Sequence, residues 1–256
     1  MKGKACAALI WLLILAVPIR PQENGPASEP SVLALPLFPA SLERTGIPLT
    51  RALGEVGSYV RNGYALFGLE VRSSDGQEPI VSLNLQPGNS LGDALRQIMD
   101  QVPGYKFKVV SAHMINIYPV LAENDPQDVL KTLVPEFNAV NVDPGQILTR
   151  PEHFIPELAA RLTPKRTGPP QPSGVVGSVL EGVNPRVITL HLKNVTVQEI
   201  LNAVSEAMEQ FPPEDPPVGW IYTCQPDSNS PIGGKHSWSF LFCAPRTWKE
   251  AASGPG

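Results

Sequence analysis

From Leu49 onward the hydrophobic positions switch between a helical period and a strict alternation, and each switch marks an element. Leu49, Leu53, Val56 and Val60 recur at helical spacing and predict one amphipathic helix. Residues 64–71 (YALFGLEV) are compatible with a strand, and Ser73-Ser-Asp-Gly76 signals a turn. Val81, Leu83 and Leu85 alternate with Ser82 and Asn84, the pattern of a half-buried strand. Pro87-Gly-Asn-Ser90 turns the chain, and Ser90 with Asp93 has the spacing of a capping box. Behind it, Leu91, Ala94, Leu95, Ile98 and Met99 form one helical stripe that stops at Pro103-Gly104. Residues 105–110 and 114–118 read as hairpin strands around Ser111-Ala-His113. The stretch 46–119 is thus expected to run helix, strand, strand, helix, hairpin.

Much of that order returns about a hundred residues later. Ile188, Leu190 and Leu192 alternate with polar residues. Thr196 and Glu199 form a T-x-x-E box, and Val197, Ile200, Leu201, Val204 and Met208 give an apolar helical face. After a proline-rich insertion over 211–219, residues 218–224 and 237–243 read as hairpin arms. They concentrate the aromatics Trp220, Tyr222, Trp238, Phe240 and Phe242, each set on one face of its strand. Two uses fit them: packing on the 197–208 helix, or an exposed face that docks a partner. Between the copies, 120–174 looks like an irregular connector. Within it a helix start is expected at Asp125, a short helix over 151–162 interrupted by Pro156, and a Pro/Gly linker at 165–174. The fold class expected is α+β: two small related βαββ-type modules, over 46–119 and 175–247, each a short sheet packed with one or two helices. A frayed tail follows at 248–256.

Ahead of the first module, Lys2 and Lys4 precede an unbroken apolar run at 5–17, the charge-then-apolar order of a secretory signal. The run is shorter than the roughly 20 residues that span a bilayer. Residues 1–19 are therefore expected to be a signal sequence, with no transmembrane domain in the mature chain and a periplasmic or secreted destination. A buried N-terminal helix is the other reading. Residues 20–45 carry many of the chain's 29 prolines, which forbid helix and predict an extended tether. Its apolar part at 33–38 is suited to pack on a neighbour.

The residues Leu83-Asn-Leu85, Ser90-Leu91, Asp93-Ala94-Leu95 and the hairpin at 105–118 carry a resemblance. The module at 46–119 resembles the short N-terminal, STN-like domain shared by secretins and TonB-dependent receptors. The second stretch matches in part, at Leu190-His-Leu-Lys-Asn-Val-Thr196, Glu199, Ile200-Leu201 and its hairpin. The resemblance implies an exported bacterial adaptor fold used for docking and signalling, with another envelope protein as partner. It supplies no catalytic residues. The chain lacks the ring domain and barrel that follow this module in those families, so secretion and uptake are not implied.

Little in the sequence suggests other chemistry. A formal charge of −4 with no basic stripe argues against nucleic acid as a partner. His113, His153, His191 and His236 show no ligand spacing, so no metal or cofactor is expected. His191 is expected to face away from the core. No serine or cysteine lies in a nucleophile motif, and no catalytic residues are expected. Pro231-Ile-Gly-Gly234 lacks the Lys-Ser/Thr and helix of a phosphate loop and reads as hairpin loop. Export permits a Cys224–Cys243 disulfide, yet opposite ends of one hairpin would hold the two on the order of 20 Å apart. The function expected is a non-catalytic binding or adaptor module. A hydrolase with a dispersed site and a structural envelope component stand as alternatives; the oligomeric state and the partner's identity stay open.

Overall fold

The computed structural model describes residues 31–37, 41–60, 64–73, 77–162, 186–211, 218–227 and 230–242. The expected signal, the linker at 165–174, the prolines at 212–217 and the tail lie outside them.

The first half forms β1 (Leu42–Pro48), α1 (Leu49–Ser58), β2 (Leu66–Arg72), β3 (Ile80–Leu85), α2 (Leu91–Gln101), β4 (Tyr105–Val109) and β5 (Met114–Pro119). Each expected element is present, and β1 adds a strand that straddles the expected boundary between the tether and the first module. The tether's apolar residues pack: Val32 and Leu37 are buried, and Leu91 donates its N–H to Leu35. Pro48 gives α1 no side-chain cap. Glu78 supplies one from across the fold, its carboxylate accepting from the Thr50 N–H and hydroxyl at 2.7 and 2.8 Å. α2 carries the full Ser90/Asp93 capping box.

The second half forms β6 (Leu133–Val142), α3 (Pro144–Thr149), α4 (Pro156–Leu162), β7 (Ile188–Thr196), α5 (Val197–Ala207), β8 (Val218–Asp227) and β9 (Ser230–Phe242). β6 and α3 fall where an irregular connector was expected. Leu133, Pro135 and Glu136 break the alternation that would have revealed β6. The expected helix start at Asp125 reduces to a short 3-10 turn at Val129–Lys131, capped by Asp128. Pro156 does not break a helix; it opens α4, where its missing N–H costs nothing. Pro231-Ile-Gly-Gly234 lies within β9, not in a loop.

The fold is α+β, but the halves do not keep separate sheets. β1 and β3 form one two-stranded antiparallel ladder, β6 and β7 another. The remaining strands join in one mixed sheet of order β4-β5-β2-β8-β9, in which β2 runs parallel to both β5 and β8. Alternation along β2 assigns its two faces. Phe67, Leu69 and Val71 join the core built on α1 and α2, whereas Leu66 joins the core built on α5, α3 and α4. Helices from each half thus cover opposite faces of a sheet they share.

The two ladders match in detail. β1 bulges between Arg44 and Ile47 around Gly46, whose φ is 65°; β6 bulges between Ala139 and Val142 around Asn141, whose φ is 54°. Each bulge residue occupies the left-handed region, which glycine and asparagine tolerate. The Gly46 N–H donates to the Ser82 hydroxyl and the Asn141 N–H to the Thr189 hydroxyl, both at 3.3 Å. A helix follows each bulge, and a capping-box helix follows each partner strand. The hairpins differ. The second strand of the first hairpin, β5, meets β2, but so does the first strand of the second hairpin, β8. Among the described residues the second half has no counterpart of β2.

The seam between β2 and β8 depends on two glycines. A Cβ on Gly219 would lie 2.0 Å from the Phe67 carbonyl oxygen, and one on Gly68 would lie 2.4 Å from the Trp220 ring. Gly219→Ala is therefore expected to force the seam apart and lower unfolding free energy by about 1–3 kcal/mol. Trp220→Ala, which empties the site over Gly68, should cost about 3–5 kcal/mol. Urea denaturation checks both; a neutral Gly219→Ala would mean that β8 does not pack on β2 at this distance.

Candidate functional site

The aromatic residues of the second hairpin separate by burial. Trp220 and Tyr222 are 0% and 1% exposed, so they belong to the core under α5 and not to a docking face. The Trp220 indole N–H donates to Asn202 Oδ1 at 2.8 Å. Trp238 is half-buried and stacks on Tyr222 at 4.4 Å, and the Tyr222 hydroxyl meets His236 Nδ1 at 2.8 Å. Phe240 is 36% exposed. The Phe242 side chain lies outside the described residues. Cys224 is a buried free thiol. It pairs with His236, whereas Val218, at the other end of β8, pairs with Phe242, next to Cys243. His191 is exposed, as its alternation implies, with Nδ1 2.7 Å from Asn138 Oδ1.

A polar cavity of about 500 Å³ lies elsewhere, where the β4-β5-β2 side of the sheet faces the start of α5 and residues 122–131. The helices of the second half cover β2 and β8, and the lining of the cavity beyond them turns hydrophilic. On β5 the odd positions Ile115 and Ile117 enter the first core, and the even positions Asn116 and Tyr118 line the cavity. On β2 the even position is Glu70, 1% exposed. An interior carboxylate in this setting must be paired or protonated, and Glu70 is partly both.

Arg72 bonds Glu70 and Asp125 and reaches Asp128 at 3.1 Å. Lys131 spans the turn beyond, donating to the Glu123 carbonyl at 2.7 Å. Three carboxylates thus share two cations. Burial, then repulsion from Asp128, pushes the Glu70 carboxyl up to about 7 despite Arg72. Burial likewise raises Asp128, against the pull of Arg72. Beside them Asn116, 3% exposed, presents an amide oxygen with no hydrogen-bond partner. The lining hydroxyls are Tyr118 and Thr196, and the latter is engaged with Glu199 in the α5 capping box. The lining thus combines the carboxylates of Glu70, Glu123, Asp128 and Glu199 with the ammonium groups of Lys108 and Lys131. Among the described residues no three His, Cys, Asp or Glu side chains converge to hold a metal.

Sequence reasoning passed over this cluster. Its signals were the lone charge of Glu70 inside YALFGLEV and the lone amide of Asn116 inside MINIY. Each is a polar residue inside an otherwise apolar strand.

The edges of the two ladders also differ. In the first half Gln97 and Gln101 of α2 reach the outer edge of β3. The Asn84 N–H donates to Gln97 Oε1 at 2.8 Å and the Gln97 amide returns to the Asn84 carbonyl at 3.1 Å. Gln101 does the same at Ser82, at 2.8 and 2.7 Å. Counted from the helix caps, the matching positions on α5 are Ala203 and Ala207. A methyl group bonds nothing, and β7 pairs only with β6 among the described residues.

No helix among the described residues is long and apolar enough to cross a membrane. No family model matches the chain, and neither a curated protein nor a solved structure does.

The Glu70 cluster has a pH signature. Between pH 4.5, the ordinary value of the group, and about 7, the folded chain holds a proton that the unfolded chain has lost. Stability from this group is therefore present at low pH and lost as pH rises through that window. Glu70→Gln is expected to flatten the change between pH 5 and pH 8 by on the order of 2 kcal/mol. Urea denaturation of wild type and variant at both pH values measures it; an unchanged difference would place the titrating group elsewhere.

Proposed function

We propose that this protein is an exported, non-catalytic adaptor. It is read as two divergent copies of a module similar to the short N-terminal domain of secretins and TonB-dependent receptors. It holds another cell-envelope protein by strand addition. The repeated bulges at Gly46 and Asn141, with their matching bonds to Ser82 and Thr189, support the two-copy reading. The charge-then-apolar N-terminus supports export.

The observation that carries the docking site is the contrast between the edges of β3 and β7. An unpaired edge offers a row of N–H and C=O groups that an extended segment can meet as another strand. On β3 two glutamine side chains occupy those groups. On β7 alanines stand where the glutamines would be, and Thr189, His191 and Lys193 are exposed along the strand. The edge at β4 suits the role less, since it is five residues long and displays Lys106 and Lys108, charges that discourage pairing. Trp220 and Tyr222 serve the core and so are not available as anchors on the aromatic hairpin.

Two experiments test this reading. Restoring the glutamines with Ala203→Gln/Ala207→Gln should close the β7 edge without unfolding the protein. A pull-down from envelope extract is expected to recover a partner with wild type and lose it with the double variant. The interaction should weaken little between low and moderate salt, because its contacts are mostly backbone. Equal recovery by both proteins removes β7 from the reading, and a substrate turned over by purified protein overturns the non-catalytic reading. For export, residues 1–30 fused to a reporter that is active only outside the cytoplasm should yield active reporter. An inactive fusion would make residues 5–17 an ordinary apolar segment.

A further inference from the structure

The five-stranded sheet ends differently on its two sides. At one end β4 is short and carries Lys106 and Lys108, charges that discourage a further strand. At the other end β9 is 13 residues long and pairs only with β8 among the described residues. Its face toward the second core is thinly covered: Trp238 is half-buried and Phe240 is 36% exposed. On β5, the second arm of the first hairpin, Met114, Ile115 and Ile117 are all 0% exposed, and there β2 lies alongside. What β9 lacks is the strand that β5 has.

The order of elements in the first half points to the stretch that belongs there. After α1 the chain runs β2, β3, α2 and the hairpin, and β2 lies parallel to the hairpin's second arm. After α3 and α4 it runs β7, α5 and the hairpin, and among the described residues no strand stands between α4 and β7. Residues 175–180 (VVGSVL) occupy that interval of the sequence, outside the described residues. Set against Leu66–Val71 (LFGLEV), they repeat the apolar run and place a glycine, Gly177, at the position of Gly68. They carry no charge and no proline, the composition of a strand buried on both faces. The spacing agrees as well: residues 73–79 connect β2 to β3, and residues 181–187 connect this stretch to β7 with the same length. Reach is no obstacle. α3 and α4 both pack against β9, so the chain leaves α4 at Leu162 near that strand. Residues 163–174 can extend up to about 40 Å from there.

We propose that the outer edge of β9 is a docking site for this chain's own residues 175–180, which add there as a parallel strand just as β2 lies along β5. The inference rests on the two-copy reading and goes beyond it, since it gives the second half a β2 of its own. The added strand supplies partners for the outward N–H and C=O groups of β9. It also lays valine and leucine side chains beside Trp238 and Phe240, the two aromatic residues that the hairpin leaves partly uncovered.

The functional consequence concerns which edge meets another protein. β9 is the longest strand among the described residues, and a long exposed edge is the first place where a foreign segment pairs. With residues 175–180 in place that edge is withdrawn from outside partners, and strand addition is directed to β7.

Amide hydrogen exchange and nuclear Overhauser contacts on the full chain test this. In an uncovered edge strand every second amide points to solvent and exchanges fast. Here adjacent amides from Ser237 to Leu241 should all be slow, within about tenfold of those on β8. Val176→Pro/Val179→Pro removes two N–H groups from the added strand and should speed alternate β9 amides by about a hundredfold, with those of β2 unchanged. If that variant fails to fold, the wild-type pattern decides. Contacts between protons of residues 175–180 and β9 should follow parallel order, and in a mixture of isotope-labelled and unlabelled chains they should stay within one chain. Fast exchange at alternate β9 amides of wild type overturns the proposal and leaves the two-copy reading standing. Antiparallel contacts overturn both. Contacts that cross between chains put a second copy on the edge and overturn the assignment to the chain's own segment. None of these results moves the β7 edge, which the glutamine variant tests.

Discussion

The pairing of β2 with a strand from each half is the constraint on which the rest of the molecule depends. β5 meets it on one side and β8 on the other, both in parallel. The seam closes because Gly68 leaves room for the Trp220 ring against β2 and Gly219 lets β8 approach Phe67. A strand with two hydrogen-bonded neighbours and a core on each face cannot tolerate a polar side chain without a local remedy. Glu70 is the exception on β2, and the ion-pair network around Arg72 is the remedy.

That sharing explains the asymmetry between the halves. The first half closes on itself: its hairpin pairs with its own β2, and its β3 edge is sealed by two glutamines of its own helix. Among the described residues the second half has no strand of the β2 kind, so its hairpin borrows the first half's, with the opposite arm inward. A half that lacks one strand must complete its sheet with the other half. The second helix layer then covers β2 and β8 and leaves the cavity-lining face of β4 and β5 polar. The cavity follows from that incomplete cover, and the unsealed β7 edge from the two alanines. Both candidate sites therefore arise where the second half departs from the first.

Local chemistry in the sequence determined a good deal. The alternation of Val81, Leu83 and Leu85, the stripe behind Ser90, the T-x-x-E box at Thr196 and the proline at the start of α4 each act within a few residues, and period and capping read them. The repeat at Ile188, Leu190 and Leu192 was equally legible, although Leu190 and Leu192 are only partly buried. β6 was not legible, because proline and exposed Leu133 and Val140 obscure its period, and its evidence is the ladder to β7.

Tertiary structure alone decided the rest. No local rule states which hairpin arm turns inward, since both arms of the second hairpin alternate equally well; the glycines at 68 and 219 settle it by permitting one close approach. Burial of Trp220 and Tyr222 follows from that choice, as does the surplus of carboxylates over cations around Glu70. Those groups are separated by up to 58 residues of sequence between Glu70 and Asp128 and meet only when β2, β5 and the turn beyond are assembled. The sequence determined the elements because helix caps and hydrophobic period are short-range forces. The shared sheet, the cavity and the open edge are long-range outcomes, set by which backbones can approach and which charges are left to pair.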